Sequence, residues 1–109
     1  MGLTKTEAFT ERQNALASYA KALAHPARIA ILKVLLSKQA CICGDIVDEI
    51  PLSQSTVSQH LKELKNAGLI KGDIDGASIC YCIDEKEWKL AQSSINQLFD
   101  VYKGGNDCC

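Results

Sequence analysis

The residues of this chain best suited to chemistry are its six cysteines, which fall into three close pairs: Cys41/Cys43, Cys80/Cys82 and Cys108/Cys109. Thiolates are soft ligands. Trivalent arsenic or antimony prefers three of them, whereas zinc, cadmium or lead accepts four, and the chain can supply either number. Each pair also has a plainer reading. Cys41 and Cys43 fit as small core residues at a helix start, Cys80 and Cys82 as ordinary strand residues, and Cys108 and Cys109 as an unselected chain end. A redox role stays open too, because thiols near the positive end of a helix react with peroxide or persulfide.

A second set of residues is suited to reading nucleic acid. In the stretch 52–65, LSQSTVSQHLKELK, the apolar Val57, Leu61 and Leu64 recur at i, i+4 and i+7 and leave the other faces polar. Amide and hydroxyl side chains pair with base edges, and ammonium groups hold phosphates. Gln54, Ser55, Thr56, Ser58, Gln59 and His60 are therefore expected to approach DNA, with Lys62 and Lys65 nearer the backbone. A merely solvated amphipathic helix carries the same kind of face.

Several elements must position these groups. The 109 residues, 47% hydrophobic and 23% charged, suit a single domain with a modest core. No apolar run reaches the length of a membrane span, and MGLTKTEAFTERQ lacks the order of a signal peptide, so a cytoplasmic protein is expected. In that compartment thiols stay reduced, and structural disulfides are not expected. The formal net charge of -1 argues little for DNA when averaged over the chain. Locally, however, Lys62, Lys65 and Lys71 face only Glu63.

Thr4 and Glu7 suggest a capping box for a first helix that runs to about residue 24 and carries Phe9, Leu16, Tyr19, Ala20 and Leu23. His25 and Pro26 break it, which makes His25 a helix-boundary residue, and a second helix follows with Ile29, Leu32, Leu35 and Leu36. Ile42, Ile46 and Ile50 share a helical face up to Pro51, and Ser53 caps the next helix across a tight turn. Gly68 closes that helix. The period then becomes alternating over 69–71 and 78–83, with Asp75-Gly76 as the reversal and Cys80 and Cys82 on the face opposite Tyr81. Asp84 and Glu87 cap a last helix with a stripe of Trp88, Ala91, Ile95, Leu98, Phe99 and Tyr102.

The fold class expected is mainly α with a small β-hairpin: a single winged helix-turn-helix domain over residues 1–109, dimeric through its N- and C-terminal helices. Its parts are a helix-turn-helix over about 42–67, a wing over about 69–83, a C-terminal helix over about 85–103 and a mobile tail at 104–109.

With LAHPARIAIL, SQSTVSQHLKELKNAGLI and the Asp-Gly hairpin, the chain resembles the ArsR/SmtB family of winged-helix repressors over nearly its whole length. The resemblance implies a homodimer, two recognition helices on an inverted-repeat double-stranded DNA operator, and release by an inducer. Family members that sense soft metals or arsenic carry Cys-x-Cys directly before an Asp-Leu or Asp-Ile pair. Here Gly44 intervenes between Cys43 and Asp45-Ile46, so on a helix the thiols would be rotated by roughly 100°. Some family arsenic sensors use C-terminal cysteine pairs. On that likeness Cys41 and Cys43 bind arsenic, antimony or a soft divalent metal as inducer, Cys108 and Cys109 complete the site, and Cys80 and Cys82 are dispensable.

No cofactor is required and no enzyme is expected, since Cys-x-x-Cys is absent and the two histidines are His25 and His60. Two alternatives remain. One is a redox- or persulfide-sensing repressor of the same fold. The other is a winged-helix protein-interaction module without DNA binding, a reading that the acidic wing residues Asp73 and Asp75 favour slightly.

Overall fold

Helix α1 (Glu11–Leu23) begins at Thr10, whose hydroxyl accepts from the Gln13 amide at 3.1 Å while the Gln13 side chain accepts from the Thr10 amide at 3.0 Å. This reciprocal pair satisfies two amides that the first turn cannot. The computed structural model describes residues 8–39, 41–43, 50–73 and 80–105. The capping box expected from Thr4 and Glu7 lies outside them, and Phe9 precedes the helix on which it was expected. Helix α2 (Pro26–Lys38) is capped by His25, whose Nδ1 accepts from the Ala27 amide at 3.0 Å. Pro26 sits where no intrahelical amide is needed, so the boundary role expected of His25 is the one it plays.

After α2 come β1 (Ile42–Cys43), α3 (Gln54–Asn66), β2 (Ile70–Asp73), β3 (Cys80–Ile83) and α4 (Glu85–Asp100). Residues 42 and 43 were expected to open a helix, and they instead form a strand. Ile42 pairs with Tyr81 and Cys43 with Cys80, antiparallel, so the sheet order is β1-β3-β2. The apolar spacing of three isoleucines suits a helix locally, but the open edge of β3 satisfies the backbone of this segment by pairing. The wing is thus part of a three-stranded sheet among the described residues. Residues 44–49 and the expected Asp75-Gly76 reversal lie outside them.

The core gathers Ile31 and Leu35 from α2, Leu61 and Leu64 from α3, Leu69 and Ile70 at β2, and Tyr81 from β3. Leu64 and Leu69 are joined through the backbone as well, the Leu69 amide donating to the Leu64 carbonyl at 3.1 Å. That turn passes through Gly68 at φ +88°, the left-handed position at which a helix hands over to the next segment. Gly72 lies at φ +128°, and a Cβ there would stand 2.1 Å from the Cys80 carbonyl oxygen. Only glycine allows β2 and β3 to approach as they do.

Asp84 caps α4 by accepting from the Glu87 amide at 3.2 Å. The Glu87 carboxylate does not return to the cap. It accepts the hydroxyl hydrogen bond of Tyr19, which ties α4 to α1. Ala91 is buried, whereas Leu98, Phe99 and Tyr102 farther along the expected stripe are 57%, 70% and 69% exposed. Among the described residues no helix is long and apolar enough to cross a membrane.

Candidate nucleic-acid interface and thiol site

Helix α3 is fixed at its start by Ser53, whose hydroxyl accepts from the Thr56 amide at 3.4 Å and lies 2.9 Å from the Thr56 hydroxyl. Its inner face consists of Val57, His60, Leu61 and Leu64, all buried. Gln54, Ser55, Thr56, Gln59, Lys62 and Lys65 are exposed on the rest of the cylinder, and Ser58 is half-buried. Of the eight residues expected to approach DNA, six are thus open to solvent, Ser58 is partly covered and His60 is buried.

His60 is the correction. Three residues on from Val57 and one before Leu61, it shares their face and is 9% exposed. Its Nδ1 accepts from Arg28 Nε at 3.2 Å, and its ring centroid lies 4.4 Å from that of His25. Burial, helped by the charges of His25 and Arg28, pushes its pKa below the usual histidine value. A nitrogen that accepts from a guanidinium must be unprotonated, so the contact and the shift agree. Arg28 also reaches the Lys21 and Ala22 carbonyls at 3.4 Å, joining the end of α1 to α2 and α3. Nothing in the local pattern announced this Arg28 and His60 contact, because an imidazole fits both a polar and a buried reading.

The thiols are brought together by the sheet. Cys41 and Cys82 are joined by a sulfur-sulfur bond with their Cα atoms 4.3 Å apart. Cys80 is disulfide-bonded as well, and the residue opposite it in the ladder is Cys43. The expectation that cytoplasmic thiols form no disulfide is not what this structure displays. Cys108 and Cys109 lie outside the described residues. With Cys41 and Cys82 bonded to each other, no group of three or more His, Cys, Asp or Glu side chains among the described residues stands ready to hold a metal ion.

Beside the Cys41 and Cys82 pair lies an open groove of about 590 Å³, bordered by Leu35, Gln39, Lys71, Glu85, Trp88 and Lys89. Lys71 is the Cα partner of Cys82 on β2. Lys89 pairs with Glu85 at 3.1 Å, both side chains being well exposed, so the pair contributes little stability.

Residues 25–71 match the family described as "Bacterial regulatory protein, arsR family". The chain is 44% identical over 61 residues to the HTH-type transcriptional repressor SmtB of Mycobacterium tuberculosis, a match that spans 56% of this chain and 44% of SmtB. It is 32% identical over 87 residues to the HTH-type transcriptional regulator CmtR of Mycobacterium bovis, over 80% of this chain and 73% of CmtR. The crystal structure of the transcriptional repressor BigR from Xylella fastidiosa superimposes with a TM-score of 0.59 at 26% identity, covering 93% of this chain and 99% of that one.

Proposed function

Because the chain belongs to the ArsR family of helix-turn-helix regulators, we propose that it is a cytoplasmic transcriptional repressor that binds an inverted-repeat DNA operator as a homodimer and leaves it when an inducer binds. The observation that carries this reading is the exposed row of Gln54, Ser55, Thr56 and Gln59, with Lys62 and Lys65 beyond, on a helix anchored by Val57, Leu61 and Leu64. Such a row offers hydrogen-bonding groups to base edges and cations to phosphates. The outward Leu98 and Phe99 of α4, with Tyr102 just beyond its end, supply an apolar surface of the kind that a second copy covers.

The inducer is a thiophilic species, trivalent arsenic or antimony or a soft divalent metal, and Cys41 and Cys43 are among its ligands. Release requires tighter binding to the conformation that does not fit the operator, with an ordinary coupling of about 1–3 kcal/mol. A redox reading is favoured by one specific observation, the bond between Cys41 and Cys82. In that case two thiols lose two protons and two electrons to an oxidant such as peroxide, which is reduced to water.

A mobility-shift assay on the operator tests both readings. The reduced protein should bind with strong salt dependence, and Lys65→Ala should weaken binding to all sequences. Gln59→Ala should change preference at one base pair by about 1–3 kcal/mol. Release by arsenite in the presence of reductant supports the soft-ion inducer, and release by peroxide alone supports the redox reading. Absence of salt-sensitive DNA binding would leave a protein-interaction module.

A further inference from the structure

The register of β1 against β3 puts the first two cysteine pairs side by side. Ile42 faces Tyr81 and Cys43 faces Cys80, so the next rung outward matches Cys41 with Cys82, the two residues whose sulfurs meet. Four cysteines thus occupy two rungs, one on each side of the Ile42 and Tyr81 rung. Alternation along a strand sends Tyr81 to one face and its neighbours Cys80 and Cys82 to the other. Tyr81 is 1% exposed and sits in the core, whereas Cys80 and Cys82 are half-buried and Cys41 is exposed.

We propose that the wing strand supplies ligands to the inducer site: Cys41, Cys80 and Cys82 form one thiolate site for a soft ion, and the tail pair Cys108 and Cys109 is not needed. This rests on the soft-ion reading above and replaces the expectation that Cys80 and Cys82 are dispensable.

The geometry favours it. Sulfurs bound to one ion at about 2.3 Å stand about 3.8 Å apart in a tetrahedral site. Rungs of an antiparallel ladder place cross-strand Cα atoms about 4.5–5.5 Å apart and same-face neighbours about 7 Å apart, within reach of side chains that converge. The Cα separation of 4.3 Å between Cys41 and Cys82 is slightly closer than that range. Lys71, opposite Cys82, borders the same groove, as do Lys89 and its ion-pair partner Glu85.

The chemistry balances with three or four thiols. Arsenite, As(OH)3, exchanges three hydroxyls for three cysteine sulfurs; the thiol protons leave with the hydroxyls as three waters, and no electrons are transferred. A divalent ion displaces the thiol protons into solvent. In the oxidised protein Cys41, Cys80 and Cys82 are all held in disulfides, so these three ligands are consumed and neither ion should bind.

The consequence for DNA release is topological. β1 precedes α3 and β3 follows it in the chain, while β2 leaves α3 through Gly68 and pairs with β3. An ion held across β1 and β3 therefore joins the chain segments on both sides of the reader helix.

The test uses the reduced full-length chain. Cadmium is titrated under exclusion of oxygen and followed by thiolate-to-metal charge-transfer absorption, on the wild type, Cys80→Ser/Cys82→Ser and Cys108→Ser/Cys109→Ser, each checked for fold by circular dichroism. Removing a group that only orients a ligand costs about 10- to 100-fold in affinity. Removing two direct ligands should cost at least the upper figure in the wing variant and leave the tail variant like wild type. The converse pattern, or full retention in the wing variant, overturns the proposal. A second measurement needs no variant: arsenite should protect Cys41, Cys80 and Cys82 of the wild type from alkylation, as read by mass spectrometry. Protection of Cys108 and Cys109 in their place overturns the proposal while leaving the soft-ion reading intact. If the reduced wild type binds neither cadmium nor arsenite, the soft-ion reading itself falls.

Discussion

Arg28 Nε donates to His60 Nδ1 at 3.2 Å, so α3 is held from behind by a polar contact to α2 as well as by apolar packing. The contact exists only while His60 is neutral at that nitrogen, and the facing charges of His25 and Arg28 oppose its protonation.

Stability should accordingly fall in mild acid. The folded-state pKa of His60 is lowered from 6.5, so its contribution is fully present above that value and is lost as pH falls through the lowered folded pKa. The urea midpoint of the wild type should drop as pH falls below 6.5. His60→Gln, which keeps an acceptor but does not titrate, should show a shallower decline. Equal slopes would show that the loss comes from other groups.

Tyr19→Phe should destabilise the chain by about 1.5 kcal/mol, the lower figure for a hydrogen bond to a charged partner, because Glu87 is half-buried and keeps some water. The same bond pushes the Tyr19 pKa up to about 12, with burial and the Glu87 charge acting in the same direction. Its stabilisation is complete below about pH 10 and disappears as pH rises through 12. Chemical denaturation of the variant at neutral pH, together with an alkaline titration of tyrosine absorbance, checks both statements.

Gly72→Ala should be among the more damaging single changes in the wing. The left-handed backbone costs about 1–3 kcal/mol for a residue with a side chain, and the added Cβ would meet the Cys80 carbonyl. Because β2 and β3 must part to admit it, the variant should also lose hydrogen-exchange protection in β3. Wild-type protection there would show that the strand pair tolerates the methyl group.

Leu98→Asp/Phe99→Asp should leave the fold intact and yield a monomer. These side chains are 57% and 70% exposed in the single chain, so charging them removes little of its own core. Sedimentation velocity at micromolar concentration should show a dimer for the wild type and a monomer for the variant. A monomeric wild type would refute the proposed interface.

The sequence by itself determined the elements whose signals are local. Val57, Leu61 and Leu64 define α3 through their period, Ser53 and Asp84 cap their helices with short oxygen-bearing side chains, and Gly68 marks a left-handed turn. Tertiary structure decided wherever a residue type fits two environments. His60 could be polar or buried, and packing against α2 turned it inward with Arg28 as its partner. Glu87 could have completed a cap, and the nearness of α1 gave its carboxylate to Tyr19. Ile42 and Cys43 suited a helix start, and the free edge of β3 drew them into a strand instead. The sequence separation of 41 between Cys41 and Cys82 carries no local sign of their meeting, which depends on a strand register that only the assembled sheet defines.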